Sequence, residues 1–418
     1  MNRKRILFVE QNQDGTIGGS HHSLLLLVRY LDRTLFEPTV AFYQRNELIP
    51  EFERYAKVVV LPAPEPIRIR RGANARVSDP IGLAALGVQK LINGVRGATA
   101  AVARVFQVVA SIRPDLIHLN NCVLVGRDWL LAARATGAWC VVHQRGFATP
   151  TGSVRGFDKV ICISRDVHES LAREVPELAA RAIQIYNGID VAAYTREARA
   201  KDPAAIRREF NVAPDDVLIG LVGNLQKWKG QDVLLDALPK LRSTARWRAL
   251  LIGAAPVDVE GQAYHRRLLD QLQTLRLQDR VTFTGYRSDV SSIVNALDVL
   301  VHTSVTPEPM GRVILEGMAL GKPVIATDHG GPREIIEQGR SGFLVAPGDP
   351  QALADLLDRV IVSPDVRATV GREAIARVSE HFSVTEYARR VQEVYLSFWP
   401  ELGPKLWEGR AQPEPDAR

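Results

Sequence analysis

Short apolar runs separated by stretches of helical periodicity extend along almost the whole chain. They include ILFVE near the N-terminus, DLIHL (Asp115–Leu119), WCVVH (Trp139–His143) and KVICI (Lys159–Ile163), then VLIGLVG, WRALLIG, RVTFTG, DVLVHT and PVIAT. Runs this short, rich in β-branched residues and bounded by turn formers, read as buried strands rather than helices. Strands that alternate with helical segments predict parallel sheets in doubly wound α/β domains. A chain of 418 residues exceeds one ordinary core, so two domains are expected. The polar, proline-containing stretch 196–214 reads as a linker between a first domain over 1–195 and a second over 215–382. A helix-like stretch over 383–402 is expected to cross back to the first domain, and the tail 403–418, GPKLWEGRAQPEPDAR, has the composition of a flexible end.

Composition narrows the class. Hydrophobic residues at 46% and charged residues at 24% exclude a disordered or fibrous chain. The net charge of +6 suits phosphate-bearing ligands or an anionic surface, and no nucleic-acid-binding motif accompanies it. Cys122, Cys140 and Cys162 lack CxxC spacing, which points to free thiols rather than a disulfide framework or a zinc site. MNRKRILFVE enters a strand directly without a signal-peptide run, and no stretch of about 18 uncharged apolar residues exists. The expected location is the cytoplasm.

The chemistry concentrates in PEPMGRVILEGMALGKPVIATDHGGPREII, Pro307 to Ile336. Pro309 favours the first helical position, which puts Glu308 at the mouth of a helix and Glu316, eight residues on, inside it. At about 1.5 Å per residue the two carboxylates are expected roughly 10 Å apart along the axis. They suit the two ends of an elongated ligand, and the free N–H groups of a first turn over Met310, Gly311, Arg312 and Val313 attract an anion between them. Taken alone, the two glutamates would only complement the helix dipole. The whole string, however, is similar to the E-x7-E signature of retaining glycosyltransferases of family 4, including G-R, LEGMALGKPVIAT and the paired glycines before Pro332.

That resemblance covers most of the chain and is strongest from about Asn187 to Val345. It implies the GT-B architecture: two doubly wound Rossmann-like domains facing a central cleft. It also implies a nucleotide-diphosphate sugar as donor co-substrate, with no metal or other cofactor, in keeping with the lack of a DxD motif. Gly18 and Gly19, between the first strand and a helix, resemble the family's amino-terminal glycine loop. WCVVHQRGF resembles its strand ending in a histidine near the donor sugar, which favours His143 over His118. In LVGNLQKWKGQDVLL, Lys229 is a point charge suited to a diphosphate, whereas Asn224 stands where the family usually has arginine. That departure removes a bidentate phosphate donor, for which Lys227 or Arg312 is the available compensation. GYRSDVSSIV resembles the loop around the nucleotide base and places Arg287 along it.

The resulting expectation is a retaining glycosyltransferase. Glu316 accepts ribose hydroxyls, Glu308 orients the sugar, Lys229 neutralises the leaving charge and His143 contacts the sugar from the first domain. The acceptor is expected to be a glycan or lipid-linked glycan, and the alternatives are a nucleotide-sugar epimerase or a catalytically silent binding subunit. A basic amphipathic pattern over 80–114, with Val105, Phe106 and Val109 on one face and Lys90, Arg96 and Arg104 roughly opposite, suggests contact with an anionic membrane.

Overall fold

The computed structural model describes residues 2–12, 17–61, 101–123, 126–147 and 156–405. The chain divides into two compact units. The first comprises Met1–Ile161, Ser170–Ile183 and Gln392–Glu408, and the second comprises Cys162–Glu169 and Gln184–Val391.

The first sheet has seven strands: β1 (Lys4–Glu10), β2 (Phe36–Phe42), β3 (Lys57–Val60), β4 (Leu116–Leu119), β5 (Trp139–Gln144), β6 (Lys159–Cys162) and β7 (Ala182–Gln184). Their order is β3-β2-β1-β4-β5-β6-β7, with parallel pairing across the centre. The order reverses between β1 and β4, the point where open α/β sheets leave a crevice beyond the carboxyl ends of their strands. Strands β1, β4 and β5 are buried on both faces at that end, as expected for a parallel sheet covered by helices.

The second sheet has six strands: β8 (Val217–Val222), β9 (Trp247–Ile252), β10 (Val281–Gly285), β11 (Val299–His302), β12 (Val324–Thr327) and β13 (Phe343–Val345). All neighbours in the order β10-β9-β8-β11-β12-β13 are parallel, and the reversal falls between β8 and β11. Its core packs Leu234, Leu235, Leu268 and Leu357 of the flanking helices against Ile219, Leu251 and Val301 of the strands. Both units therefore have the doubly wound α/β form that the run pattern predicts.

The stretch 196–214 is not an extended linker. Helices Val191–Ala198 and Pro203–Glu209 occupy it, capped by the Asp190 and Asp202 side chains, which accept from the Ala193 and Ala204 N–H groups. Both pack on the helix Val290–Ala296, and Arg207 reaches Asp298 at 2.9 Å, so the stretch belongs to the second unit. Its polar composition reflects a solvated helical face rather than a tether.

The helix Val384–Leu396 ends within the first unit, which takes over at Gln392. There Gln392 accepts from the Asp32 N–H at 2.6 Å, and Phe398 stacks on Trp139. Most of the basic amphipathic segment, 80–100, lies outside the described residues. In the described helix over 101–112, Val105 and Val109 are buried in the first unit and Val102 is exposed. Among the described residues no helix is long and apolar enough to cross a membrane.

Candidate active site

In the second unit the chemistry gathers beyond the carboxyl ends of β8 and β11. After β8 the chain turns through Gly223 into a 3-10 turn, Lys227–Lys229, and leaves it at Gly230, whose φ is +66°. A Cβ at Gly230 would strike the Thr303 carbonyl, so this position needs glycine for both conformation and space. Two bonds tie this loop to the one after β11: the Thr303 hydroxyl donates to the Lys229 carbonyl at 2.9 Å, and the Val305 N–H donates to the Trp228 carbonyl at 2.8 Å.

The coupling brings Lys229 against Glu308, with Nζ donating to Oε2 at 2.7 Å. His302 Nε2 and the Ser304 hydroxyl reach the same oxygen, each at 3.2 Å. The Lys229 ammonium also lies 4.0 Å from the centre of the Trp228 ring. Burial raises the Glu308 pKa, but the His302 hydrogen bond and the Lys229 charge outweigh it and hold the carboxyl at about 2. Glu308 is thus a buried carboxylate that stays ionised at neutral pH. Lys229 and Glu308, expected to meet different parts of a ligand, are paired directly in this state. A cavity of about 360 Å³ lies along the same two loops, lined by Lys227, Trp228, Tyr264 and Val305 among others.

The helix after Glu308 begins later than Pro309 suggests. It spans Arg312–Ala319, with Gly311 at its N-cap in the left-handed region. Glu308 instead bridges to Gly330 in strand-like fashion, and its carbonyl accepts from the Gly331 N–H at 2.8 Å. That long-range pairing holds Glu308 in a bridge and the chain bends at Pro309 and Met310, so Met310 and Gly311 precede the helix, and Met310 is buried. Only part of the eight-residue spacing is helical, and the axial separation expected for a continuous helix does not apply. The pairing also explains the double glycine. A Cβ at Gly331 would lie 2.5 Å from Met310 Cα, and one at Gly330 would lie 2.9 Å from Glu308 N and closer still to its carbonyl oxygen. The glycine turn is a cradle for the Glu308 backbone.

Glu316 lies one turn into the helix and pairs with Arg312 at 2.6 Å. The buried Tyr194 hydroxyl is hydrogen-bonded to it, and burial first, then the Glu316 charge, drives the Tyr194 pKa well above its ordinary value. Arg312 Nη1 is buried without a hydrogen-bond partner among the described residues. Val313 follows in the first turn, and Asn224 is exposed at the β8 turn, its carbonyl accepting from Gln231.

Arg287 lies on the loop after β10. Its guanidinium is spent on Glu209 and Asp289, through bonds of 2.5–3.2 Å, and lies against the Phe210 ring. It clasps its own loop to the helix Pro203–Glu209.

In the first unit, Gly18 caps the helix Gly19–Arg29, and its N–H donates to His21 Nδ1 at 3.3 Å. Gly18 has open space around it. His143 departs from expectation. It is fully buried, and its pKa is driven well below the ordinary value by burial, then by Arg145 and His118. Its strand is covered on both faces, so the end of the run is interior rather than surface. His118 is buried beside it at a ring separation of 5.4 Å and is hydrogen-bonded through Nδ1 to the Tyr395 hydroxyl at 2.7 Å. Both rings are buried in the first unit.

The β1/β4 end instead carries a buried carboxylate that the sequence analysis did not single out. Glu10 accepts from Asn120 Nδ2 at 2.5 Å and Asn121 Nδ2 at 3.1 Å, and Asn120 in turn accepts from Arg145 at 2.8 Å. Burial raises its pKa against these donors. His302 and Ser304 were likewise missed. In each place the available signal is a polar residue closing an apolar run, ILFVE and DVLVHT.

The family model described as glycosyl transferases group 1 matches residues 202–377. The N-acetyl-alpha-D-glucosaminyl L-malate synthase of Bacillus anthracis is 27% identical over 232 residues, 55% of this chain and 58% of that protein. The D-inositol 3-phosphate glycosyltransferase of Corynebacterium urealyticum is 33% identical over 234 residues, 54% of each. The chain spans little more than half the length of these two relatives. Among solved structures, Anabaena Alr3699/HepE in complex with UDP and glucose superposes with a TM-score of 0.76 at 28% identity, covering 94% of this chain and 100% of that one. The two Rossmann-like sheets are those of the GT-B glycosyltransferase architecture.

Proposed function

We propose that this chain, whose residues 202–377 match the family model of the group 1 glycosyl transferases, moves a sugar with retention from a nucleoside-diphosphate donor to a glycan or lipid-linked glycan. The observation that carries the reading is the convergence of Lys229, Glu308, Arg312 and Glu316 beyond β8 and β11, the switch point of the second sheet. In this reading the diphosphate lies over the helix start at Arg312 and Val313, where N–H groups and the helix dipole favour an anion. Lys229 neutralises the charge that grows on the leaving phosphate. Glu316 accepts ribose hydroxyls beside Arg312, and Glu308 accepts sugar hydroxyls. Because Lys229, Arg312 and the helix start supply the positive charge, donor binding requires no divalent cation.

Retention follows either from attack on the same face as the departing phosphate or from a covalent intermediate. Glu308 is already held by three donors, which suits orientation of a sugar rather than nucleophilic attack. A glycan acceptor carried on a lipid would bring the basic segment before residue 101 to an anionic surface. Flotation with anionic liposomes at low salt tests that contact, and failure to float removes it.

The decisive experiment for the function is a nucleotide-sugar panel, started with UDP-glucose because HepE is complexed with UDP and glucose, and read by mass spectrometry of released nucleotide. Acceptor-dependent release supports transfer. Consumption of donor with sugar interconversion and no acceptor would favour an epimerase, and binding without turnover across the panel would contradict the reading.

A further inference from the structure

Glu308 is held asymmetrically. Lys229 Nζ, His302 Nε2 and Ser304 Oγ all meet Oε2, at 2.7, 3.2 and 3.2 Å, and among the described residues no donor meets Oε1. An ionised carboxylate offers about four acceptor sites over its two oxygens, so three donors on one oxygen leave the other oxygen's sites for a ligand. Since Glu308 is ionised, the His302 contact requires the proton on Nε2, and Nδ1 is buried with no hydrogen-bond partner among the described residues. His302 and Ser304 are themselves buried, on the end of β11 and just beyond it, and the bonds from Thr303 and Val305 to the Lys229 loop fix that segment.

We propose that His302 and Ser304 are positioning residues for sugar transfer: they hold Oε2 so that Oε1 faces the transferred sugar, and they retain the carboxylate when Lys229 leaves it for the donor diphosphate. The proposal rests on the reading of Glu308 as the group that orients the sugar. A diphosphate carries more charge than one carboxylate and draws the lysine toward itself. A buried carboxylate that lost its only donor would take up a proton and cease to accept from sugar hydroxyls. With His302 and Ser304 in place, Glu308 keeps two donors throughout and stays ionised. The charged and titratable groups facing it are Lys229 from the 3-10 turn and His302 from β11, and the Gly330–Gly331 turn faces it with backbone alone.

The test uses the full chain labelled with 13C at glutamate carboxyl carbons, the Glu308 resonance being identified by its loss in Glu308→Gln. His302→Leu removes the donor while keeping an apolar side chain in the buried site. His302→Gln restores an amide N–H at similar reach. The expected result is a Glu308 titration midpoint raised by about one pH unit or more in His302→Leu and returned toward wild type in His302→Gln. In Lys229→Ala the carboxyl stays ionised at neutral pH. With UDP-glucose, or whichever donor the panel identifies, His302→Leu lowers kcat about tenfold or more while the Kd for UDP is unchanged, and His302→Gln recovers it. An unmoved Glu308 midpoint in a folded His302→Leu protein overturns the proposal whatever the enzyme turns over. A midpoint that moves as expected in a protein that consumes no nucleotide sugar overturns the transferase reading instead.

Discussion

Gly330→Ala isolates the cradle under Glu308. Gly330 has φ of +76°, and Gly339 has almost the same value, +75°, but at Gly339 a Cβ would meet nothing within 4 Å. Both substitutions pay the left-handed cost of an L-residue, about 1–2 kcal/mol. Only at Gly330 does the new methyl run into backbone, 2.9 Å from Glu308 N and nearer to its carbonyl oxygen. Relief requires the 308–310 segment to move, straining the bond from the Gly331 N–H, and overpacking of this kind adds about 1–3 kcal/mol. A displacement approaching 1 Å at a sugar-positioning carboxylate costs roughly a hundredfold in rate. Urea unfolding and steady-state transfer, run on both variants beside wild type, separate the two effects. Gly339→Ala is expected to lose only the smaller stability term and keep its kcat, whereas Gly330→Ala loses both terms and most of its kcat. Equal losses of stability with unchanged kcat in both variants would refute the close approach.

Glu308→Gln should show a pH signature. The folded pKa of about 2 lies below the ordinary 4.5, so the ionised carboxylate contributes stability in full above about pH 4.5 and loses it as pH falls toward 2. The advantage of wild type over Glu308→Gln, about 3 kcal/mol at neutral pH, should shrink across that window in denaturant titrations. A pH-independent difference would contradict it. Tyr395→Phe leaves the buried His118 ring nitrogen without its hydroxyl partner and should cost about 1–3 kcal/mol in urea unfolding with UDP affinity unchanged. EDTA should leave transfer intact, and loss of turnover restored by magnesium or manganese would mean that the diphosphate contacts are misassigned.

Local rules reached the central strands of both sheets, whose apolar runs are bounded by turn formers. They missed β2, whose run is broken by Glu37 and Pro38, and the short β3, β7 and β13. The helix start was misjudged at Pro309 because the deciding interaction is the pairing of Glu308 with Gly330, across an intervening helix and strand. The same distance hides the Lys229–Glu308 bond, whose partners lie 79 residues apart. Arg287 was placed along the base loop by resemblance, and its partner Glu209 was hidden in the stretch read as a linker. His143 closes an apolar run, which local reading cannot distinguish from a strand end open to solvent. In a parallel sheet covered on both faces, that end is interior. What remained legible was chemistry carried by contiguous residues: the glycine turn, the lysine loop and the two glutamates.

The most direct test of the central claim is calorimetric titration of UDP into wild type, Lys229→Ala, Glu316→Ala and Glu308→Gln, paired with transfer kinetics for each. Lys229→Ala should lower kcat more than donor affinity, by roughly a hundredfold or more, because it meets charge that develops as the sugar–phosphate bond breaks. Glu316→Ala should weaken UDP, which retains the ribose. Glu308→Gln should leave UDP binding nearly intact, since UDP lacks the sugar, and cut transfer strongly. Loss of UDP binding in Glu308→Gln with unchanged binding in Glu316→Ala would contradict the orientation of the donor along this site.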